Sequence, residues 1–463
     1  MAGVGFKLNK LFFQNRVSTD ALAILYSILT ASGPWIITTS SLWIILNYLN
    51  IFNIYFNTAI IYGFIFSIII SGIFSMFLSR RISDIMYLKE YEKILPETLG
   101  IIIANATLLI IFLAIFFLFN PQPFKFIIPF TYLTLSLLVL WLISIAAIST
   151  DEINWYITSY VLMGISSIVF SKLFSYYNLS EVYGYALGIT VGIITNFITV
   201  YNTFGNNNQK ISFEWVKEIK KYWQLMLIGF SYYLAIWVDD FIVWNNPNFG
   251  EELIDGFKFS FIYDSPMFFC YLTIIPTITM FILVLETRFY KKYKHFYTSL
   301  KEGYVYSEIL TIKDEMEKEL LQSISLTIKI QILITTLFFI LNELQLLPIS
   351  NELSKPILRL GLIGAMLNGF YLMVILLILY FDFRNLALSL NIAVLFLNIF
   401  LSHILVSKIG YASLGAGYAL SFLIGTMVSY TLLKKKIKDI IKIEFFRQNP
   451  SLPEGKLIRG VKR

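Results

Sequence analysis

The chain has 463 residues, of which 57% are hydrophobic and only 14% are charged, and its mean hydropathy is +0.72. Because a soluble domain carries about 25% charged residues, this balance excludes a water-soluble fold. The formal net charge of +7 comes without any nucleic-acid-binding motif, so we expect no nucleic-acid partner. The single cysteine, Cys270, and the well-separated His295 and His403 build neither a disulfide framework nor a zinc site, and we predict no metal and no cofactor.

Apolar stretches of about 20 residues, the length that crosses a ~30 Å hydrocarbon core, recur along the whole chain. Gly, Ser, Thr and Asn are scattered within them, which is typical of packed transmembrane helices and not of barrel strands. The sequence therefore predicts an all-α integral membrane protein with about twelve transmembrane helices. The predicted spans are residues 22–48, 55–78, 98–120, 126–150, 156–176, 184–204, 223–246, 261–286, 321–342, 357–380, 387–407 and 413–433.

Residues 1–21 precede the first span and mix Lys7, Lys10 and Arg16 with apolar side chains. No small-residue cleavage site follows the next apolar run, so we interpret this segment as a cytoplasmic amphipathic surface helix and not as a signal peptide. The remaining predicted regions are an N-terminal six-helix lobe (22–204), a cytoplasmic linker (205–222), a C-terminal six-helix lobe (223–433) and a basic cytoplasmic tail (434–463).

A short internal repeat favours this division into two lobes. The tetrapeptide Gly-Tyr-Ala-Leu opens the sixth span at residues 184–187 and opens the twelfth span at residues 417–420. Parallel repeats of six helices are a common plan in transporters, where the substrate path runs between the lobes. Coincidence in a membrane protein rich in Gly, Ala and Tyr is the alternative explanation.

The distribution of basic residues predicts the orientation. With the N-terminus inside, the cytoplasmic segments hold 29 of the 36 Lys and Arg residues. Only Lys125, Lys258, Lys355 and Lys408 fall in the outer loops, and three more cations lie within spans. This inside-positive bias predicts that both termini are cytoplasmic, so the basic composition reflects topology.

Ionisable groups within a span cost about 2.5 to 3.5 kcal/mol on insertion scales, so each needs a partner, a wet cavity or a place near the surface. Asp239 and Asp240 lie in the seventh span and point about 100° apart on its helix. Asp264 opens the eighth span and adds a third carboxylate to the outer half of this hairpin. We predict an acidic substrate path here, with the aromatic candidates Tyr232, Trp237 and Tyr263.

A structural role for the same acids remains open. Asp264 could be interfacial, and Asp239 or Asp240 could pair with Arg359 or Lys172, which also lie near outer helix ends.

Several spans contain residues that interrupt a helix. Proline removes a backbone hydrogen bond, and such breaks suit gating movements as well as static kinks stabilised by neighbouring Ser and Thr. The candidates are Gly33, Pro34, Pro266 and Pro276.

A basic cluster ends the eighth span at its cytoplasmic side. Its candidate residues are Glu286, Arg288, Lys291 and Lys292. Binding to anionic lipid headgroups is one interpretation. A docking surface for a cytoplasmic enzyme, extended by the charged segment that follows, is the other.

Seven segments of the chain carry a resemblance to a known family, namely residues 1–6, 32–35, 236–239, 263–268, 271–276, 286–290 and 379–384. In these segments the chain resembles the PelG family, the membrane transporters of Pel exopolysaccharide machinery, within the superfamily of multidrug, oligosaccharidyl-lipid and polysaccharide exporters. The resemblance runs nearly end to end. In place of the Asp239-Asp240 pair, the family tends to have Asp-Lys or Asp-Arg.

This resemblance implies a multi-pass protein of the cytoplasmic membrane that exports a partly deacetylated amino-sugar polymer. It also implies two kinds of partner, a cytoplasmic glycosyltransferase and small membrane subunits of a synthase complex. Carboxylates facing a water-filled path would favour a cationic glycan by a few kcal/mol at most.

Other functions share the twelve-helix plan. A flippase for lipid-linked oligosaccharides and a cation-coupled exporter of small molecules are the transport alternatives. A membrane glycosyltransferase or polymerase would need a positioned carboxylate, for which Glu251, Glu252 and Asp255 in an outer loop are the only candidates. No Gly-rich nucleotide loop accompanies them, so we do not expect an enzyme. A scaffold for the glycosyltransferase is a further alternative.

Overall fold

The computed structural model describes residues 17–49, 53–150, 152–205, 210–347 and 353–448. Within these residues twelve helices are long and apolar enough to cross a membrane, so the predicted all-α membrane fold is confirmed. Most of the predicted amphipathic N-terminal segment and the end of the basic tail lie outside the described residues. Below, the inner end of a span is the end that the charge distribution assigns to the cytoplasm.

Each of the first seven spans is one helix, although the first is kinked at Ser32. Helices α1 to α7 cover Val17–Tyr48, Ile54–Leu88, Ile94–Phe119, Phe124–Ser149, Ile153–Tyr176, Glu181–Phe204 and Ile219–Trp244. The eighth span is interrupted and consists of α8 (Phe261–Leu272), α9 (Ile274–Val284), a π turn (Leu285–Phe289) and α10 (Tyr290–Glu302). The remaining helices, α11 to α15, cover Tyr306–Glu343, Ser354–Tyr380, Arg384–Lys408, Ala416–Lys438 and Ile440–Gln448.

The two halves of the chain pack their helices in the same way. In the first half α5 packs on α6, α4 on α6, α2 on α4 and α1 on α5. The equivalent pairs in the second half are α13 with α14, α12 with α14, α8 with α12 and α7 with α13. The repeated tetrapeptide lies at equivalent places, because Gly184 contacts the backbone of Phe170 on α5 and Gly417 contacts Ser402 on α13. Glycine at these positions permits the close approach of the last two helices of each lobe.

The eighth span is broken where the sequence places proline. Pro266 lies inside α8, and α8 gives way to α9 at Thr273. Pro276 follows three residues later, where its ring would clash with the carbonyl of Leu272 in a continuous helix. In α1 the backbone is non-helical at Ser32, next to Gly33 and Pro34.

The charged segment after the eighth span is helical. Helix α10 ends at Gly303, whose φ of +72° is left-handed, and α11 returns antiparallel to it. Lys292 and Glu315 join the two helices by an ion pair of 2.7 Å. From the tail, Glu444 on α15 accepts a 3.3 Å hydrogen bond from Tyr297. We call α10, the first part of α11 and α15 the inner helical layer.

The second half of the predicted linker packs against the N-terminal lobe. Trp215 is buried between Phe74 and Phe77 of α2, with ring centroids 5.4 and 6.0 Å away. The amide of Ser212 donates to the carbonyl of Pro96 at the start of α3, at 3.1 Å. This segment therefore connects the start of α7 to the inner end of the N-terminal lobe.

A buried ion pair stabilises the same inner end. Arg81 on α2 makes two hydrogen bonds to the Glu97 carboxylate on α3, at 2.6 and 2.7 Å. The side chains are 12% and 1% exposed. The guanidinium contacts both oxygens, the bidentate geometry in which this pair is strongest.

The outer loop between α7 and α8 contains a small β-hairpin that the sequence did not predict. Strands β1 (Glu251–Ile254) and β2 (Phe257–Phe259) pair antiparallel, and Gly256 between them has a φ of +77°. The hairpin bears on the site, because it reaches the N-terminal lobe.

Candidate functional site

The two lobes meet where α2 crosses α7 and where α1 packs on α9. Gly72 and Gly229 mark the closest approach of α2 and α7, since a Cβ atom on Gly229 would clash with the carbonyl of Gly72. One turn further along α7, the ring of Tyr233 covers Gly72. Helix α7 thus presents one face to the N-terminal lobe and another to its own lobe, where it packs on α13.

The Asp239 carboxylate lies inside the C-terminal lobe and is only 2% exposed. It accepts hydrogen bonds from the hydroxyl of Tyr263 on α8 and from Nδ2 of Asn398 on α13, the latter at 3.0 Å. The same Asn398 nitrogen donates to the carbonyl of Ala235, and Ser402 donates to Asn398 Oδ1, both at 2.8 Å. Side chains from α8 and α13 therefore hold this carboxylate of α7.

The Asp240 carboxylate points toward different neighbours. It is 1% exposed and accepts a 3.4 Å hydrogen bond from Tyr271, whose hydroxyl also lies 3.3 Å from the carbonyl of Ile236. One turn further along α7, Trp244 contacts Tyr62 of α2, with ring centroids 5.2 Å apart. Residues four apart share a helix face, so Asp240 lies on the side of α7 that faces the N-terminal lobe.

The third predicted acid, Asp264, lies at the outer end of the hairpin formed by α7 and α8. It accepts hydrogen bonds from Trp244 Nε1 at 2.8 Å and from the Ser260 amide at 2.9 Å. The second bond satisfies a backbone donor at the start of α8, as a capping residue does. Asp264 thereby joins the ends of the two helices.

The cations considered as partners for these acids lie elsewhere. Arg359 makes a bidentate pair with Glu343 at 2.8 and 2.9 Å, and Lys172 is exposed on α5. Within the described part of the chain, no Lys, Arg or His nitrogen lies within 4 Å of Asp239 or Asp240. Both carboxylates are held by neutral hydroxyl and amide groups.

The predicted aromatic residues belong to the same region. Tyr232 donates to Asn368 Oδ1 at 3.1 Å, and Asn368 Nδ2 donates to the Tyr418 hydroxyl at 2.9 Å. Trp237 packs on Tyr271 with ring centroids 5.7 Å apart, and Tyr271 lies 6.1 Å from Tyr418. Polar aromatic side chains of α7, α8 and α14 therefore surround the two acids.

Sequence reasoning missed four residues of this network. Asn368, Asn398, Tyr271 and Tyr418 were not among the candidates, although all four lie within predicted spans. An amide side chain in an apolar span needs a hydrogen-bonding partner, and this rule could have identified the two asparagines. Nothing in the sequence shows that one of these asparagines pairs with Asp239 and the other with Tyr232.

At the outer end, the β-hairpin closes the junction between the lobes. The Tyr62 hydroxyl on α2 accepts from the Lys258 amide and donates to the Lys258 carbonyl, both at 2.7 Å. Phe257 is completely buried among N-terminal-lobe rings. These rings belong to Phe116, Phe117, Phe126 and Phe130.

At the inner end, a polar cluster closes the same junction. The Tyr222 hydroxyl on α7 donates to Asp84 on α2 at 2.5 Å, and Asp84 pairs with Arg80 at 3.1 Å. Arg384 lies 4.7 Å from the Tyr222 ring centroid and pairs with Asp382 at 2.7 Å. The α2–α7 junction is thus closed at both ends, and any opening must break one of these sets of contacts.

The four basic-cluster candidates occupy different environments. Glu286 lies in the π turn and is 6% exposed, and Lys292 pairs with Glu315. Arg288 and Lys291 are exposed. Only part of this cluster is therefore presented at the surface.

The comparisons with known proteins agree on one fold. Residues 1–445 match the PelG family model, described as "Putative exopolysaccharide Exporter (EPS-E)". No curated protein matches this chain. Among solved structures, an outward-facing multidrug resistance MATE transporter of the MOP superfamily is 14% identical, with a TM-score of 0.61 over 91% of this chain and 99% of that chain.

Two further structures have the same architecture. MATE in complex with MaL6 is 14% identical, with a TM-score of 0.62 over 91% of this chain and 99% of that chain. A MOP superfamily transporter from Pyrococcus furiosus, whose binding pocket has reversed polarity, is 13% identical, with a TM-score of 0.55 over 90% and 99% of the two chains. At these identities the likeness shows the fold alone.

Proposed function

The chain belongs to the PelG family, and from this premise we propose that it exports an amino-sugar exopolysaccharide across the cytoplasmic membrane. Membrane transport itself follows from the family and the MOP transporter fold. What we propose is the identity of the cargo and of the membrane that it crosses. The observation that carries the proposal is a pair of buried carboxylates, Asp239 inside the C-terminal lobe and Asp240 on the face toward the N-terminal lobe, with no cationic partner among the described residues.

The geometry of the pair suits a cationic cargo. Asp239 is fixed within the C-terminal lobe, while Asp240 faces the N-terminal lobe, between the outer and inner closures. A carboxylate in such a site costs free energy of folding unless a cation or water reaches it. When the lobes separate, protonated amino groups of a partly deacetylated polymer supply that cation, and neighbouring aromatic rings offer faces for sugar packing.

Measurement of secreted polymer tests this role. We expect Asp239→Asn and Asp240→Asn to lower secretion at normal membrane levels of the protein, because each removes one negative charge while keeping the side-chain size. Asp264→Asn keeps an oxygen for the helix cap, and we expect a smaller effect. The matched control is Glu343→Gln, an acid paired with Arg359 at an exposed outer position. Full secretion by both Asp239 and Asp240 variants would refute the proposal.

We further propose that the inner helical layer faces the cytoplasm and docks the glycosyltransferase that makes the polymer. A cavity of about 420 Å³ opens between α11 and α15. Exposed rings of Tyr306, Phe445 and Phe446 line it together with Lys313 and Lys442. Apolar rings beside basic side chains fit a partner surface that carries apolar and acidic groups.

Copurification tests this docking surface. We expect the double variant Phe445→Ser/Phe446→Ser to lose the glycosyltransferase while the membrane level stays normal, since both rings are about half exposed. The exposed outer residue Phe119 offers a matched control as Phe119→Ser. Unchanged copurification with the double variant would exclude this surface.

A cation-coupled exporter is the second candidate. The same two acids, which have no cationic partner among the described residues, could bind a coupling ion. Transport of a small cationic dye by purified protein in vesicles, driven by an ion gradient, would favour it over polymer export. Among the outer-loop acids, the Glu252 carboxylate accepts a hydrogen bond from the Gly256 amide at 2.8 Å. The backbone carbonyl of Asp255 accepts from Gln122 at 2.8 Å.

A further inference from the structure

A second cavity lies at the inner end of the C-terminal lobe, away from the junction between the lobes. It has a volume of about 670 Å³ and opens between the π turn after α9 and the side of α11. Its lining combines three cations, two acids, two leucines and two neutral polar residues. These are Arg288, Lys318, Lys329, Asp314, Glu317, Leu321, Leu326, Gln322 and Ser325.

The charges of this cavity favour an anion. Across the described residues, Arg288, Lys318 and Lys329 have no carboxylate within 4 Å. Both acids at the rim are already paired, since Lys313 lies 3.3 Å from Asp314 and 2.7 Å from Glu317. The cavity therefore presents an excess of unpaired positive charge.

The depth of Lys329 indicates the kind of anion. It lies eight residues beyond Leu321, where the apolar part of α11 begins, which is about 12 Å along the helix. A lysine at this depth extends its side chain toward the headgroup region, and an unpaired one in contact with lipid is costly. Its side chain lines the same cavity as Arg288 and Lys318, so the three cations together attract an anionic group.

The apolar part of the site continues up the membrane face of α11. Leu321 and Leu326 line the cavity itself. Above it, Leu333 and Ile340 are 67% and 51% exposed on the same helix. A ligand with a phosphate at one end and a hydrocarbon chain at the other matches this order of cations below and apolar surface above.

We propose that this cavity binds a phospholipid of the inner leaflet with an anionic headgroup, which lies against the cations Arg288, Lys318 and Lys329. The acyl chains lie along α11. Free phosphate lacks the hydrocarbon part, and a headgroup with a fixed positive charge would oppose the three cations.

Native mass spectrometry of the full-length protein tests the site. The purified protein is titrated in micelles with dioleoyl phosphatidylglycerol, and separately with dioleoyl phosphatidylcholine. We expect at least one phosphatidylglycerol to bind more tightly than phosphatidylcholine. Arg288→Gln, Lys318→Gln and Lys329→Gln should each weaken phosphatidylglycerol binding by about fivefold, as expected for one cation near an anionic headgroup. All three residues are exposed, so the variants should fold.

The control is Lys172→Gln, which removes an exposed lysine from a span of the other lobe. It should leave phosphatidylglycerol binding unchanged. Equal binding of the two lipids, or equal losses in the control and in the three variants, would overturn the proposal. Displacement of phosphatidylglycerol by millimolar inorganic phosphate would overturn the choice of a lipid as the ligand.

Discussion

The buried ion pair between Arg81 and Glu97 yields the sharpest stability prediction. In Arg81→Met, the Glu97 carboxylate, 1% exposed, would lose the guanidinium that contacts both of its oxygens. Breaking a buried pair by removing one partner costs about 3–5 kcal/mol, because the remaining charge stays buried without compensation. We therefore expect Arg81→Met to lower the free energy of unfolding by about this amount.

Replacing both partners distinguishes the loss of charge compensation from a change in side-chain packing. A buried ion pair replaced by apolar side chains is often neutral, so Arg81→Met/Glu97→Leu should recover most of the loss. The double-mutant cycle, measured by unfolding in mixed micelles with increasing sodium dodecyl sulfate, should give a coupling energy of about 2 kcal/mol or more. Lys93→Met is the control, because the Lys93–Glu90 pair has the same 2.7 Å contact but is about 40% exposed.

For that exposed pair we expect a loss of about 1 kcal/mol or less. If Arg81→Met costs no more than Lys93→Met, the reasoning from burial is wrong. If the double variant is as unstable as the single one, packing and not charge compensation explains the effect.

Three further changes test the lobe junction and the acid network. Gly229→Leu forces a side chain against the backbone of α2, and we expect a loss of about 1–3 kcal/mol together with reduced secretion; normal stability would contradict the close approach. In a Cys270→Ser background, a Phe257→Cys thiol should react with an impermeant maleimide far more slowly than in unfolded protein, and rapid labelling would show an open outer end. Asn398→Leu removes a donor from buried Asp239, which should cost about 1–3 kcal/mol in unfolding experiments, and an unchanged midpoint would exclude this bond.

The number of spans and their places along the chain could be predicted from the sequence, because apolar length alone decides what crosses a bilayer. The inner ends of the helices could not be predicted from the sequence. Helix α11 begins at Tyr306, fifteen residues before the predicted span, and α2 continues ten residues beyond its predicted end at 78. Hydropathy detects the part of a helix inside the membrane, whereas these charged turns stay helical through ion pairs and packing. Lys292–Glu315 joins α10 to α11, and Arg81–Glu97 joins α2 to α3.

The site was only partly predictable for a different reason. The cost of an acid in a span drew attention to Asp239 and Asp240, but their partners depend on tertiary contacts. Asn398 is 159 residues from Asp239 in sequence, and the outer hairpin owes its position to contacts between Tyr62 and Lys258, 196 residues apart. Neither separation leaves a local pattern that a single sequence can reveal.

The attachment of α7 near its inner end has a mechanical consequence. Trp215, Tyr222 and Gly229 all hold this end against the N-terminal lobe, so α7 can act as a lever with its fulcrum there. The acids lie about ten residues beyond Gly229, roughly 15 Å along the helix axis. A tilt of about 10° about that fulcrum moves the acids by about 3 Å, nearly a hydrogen-bond length, and moves Trp244 and the hairpin further still.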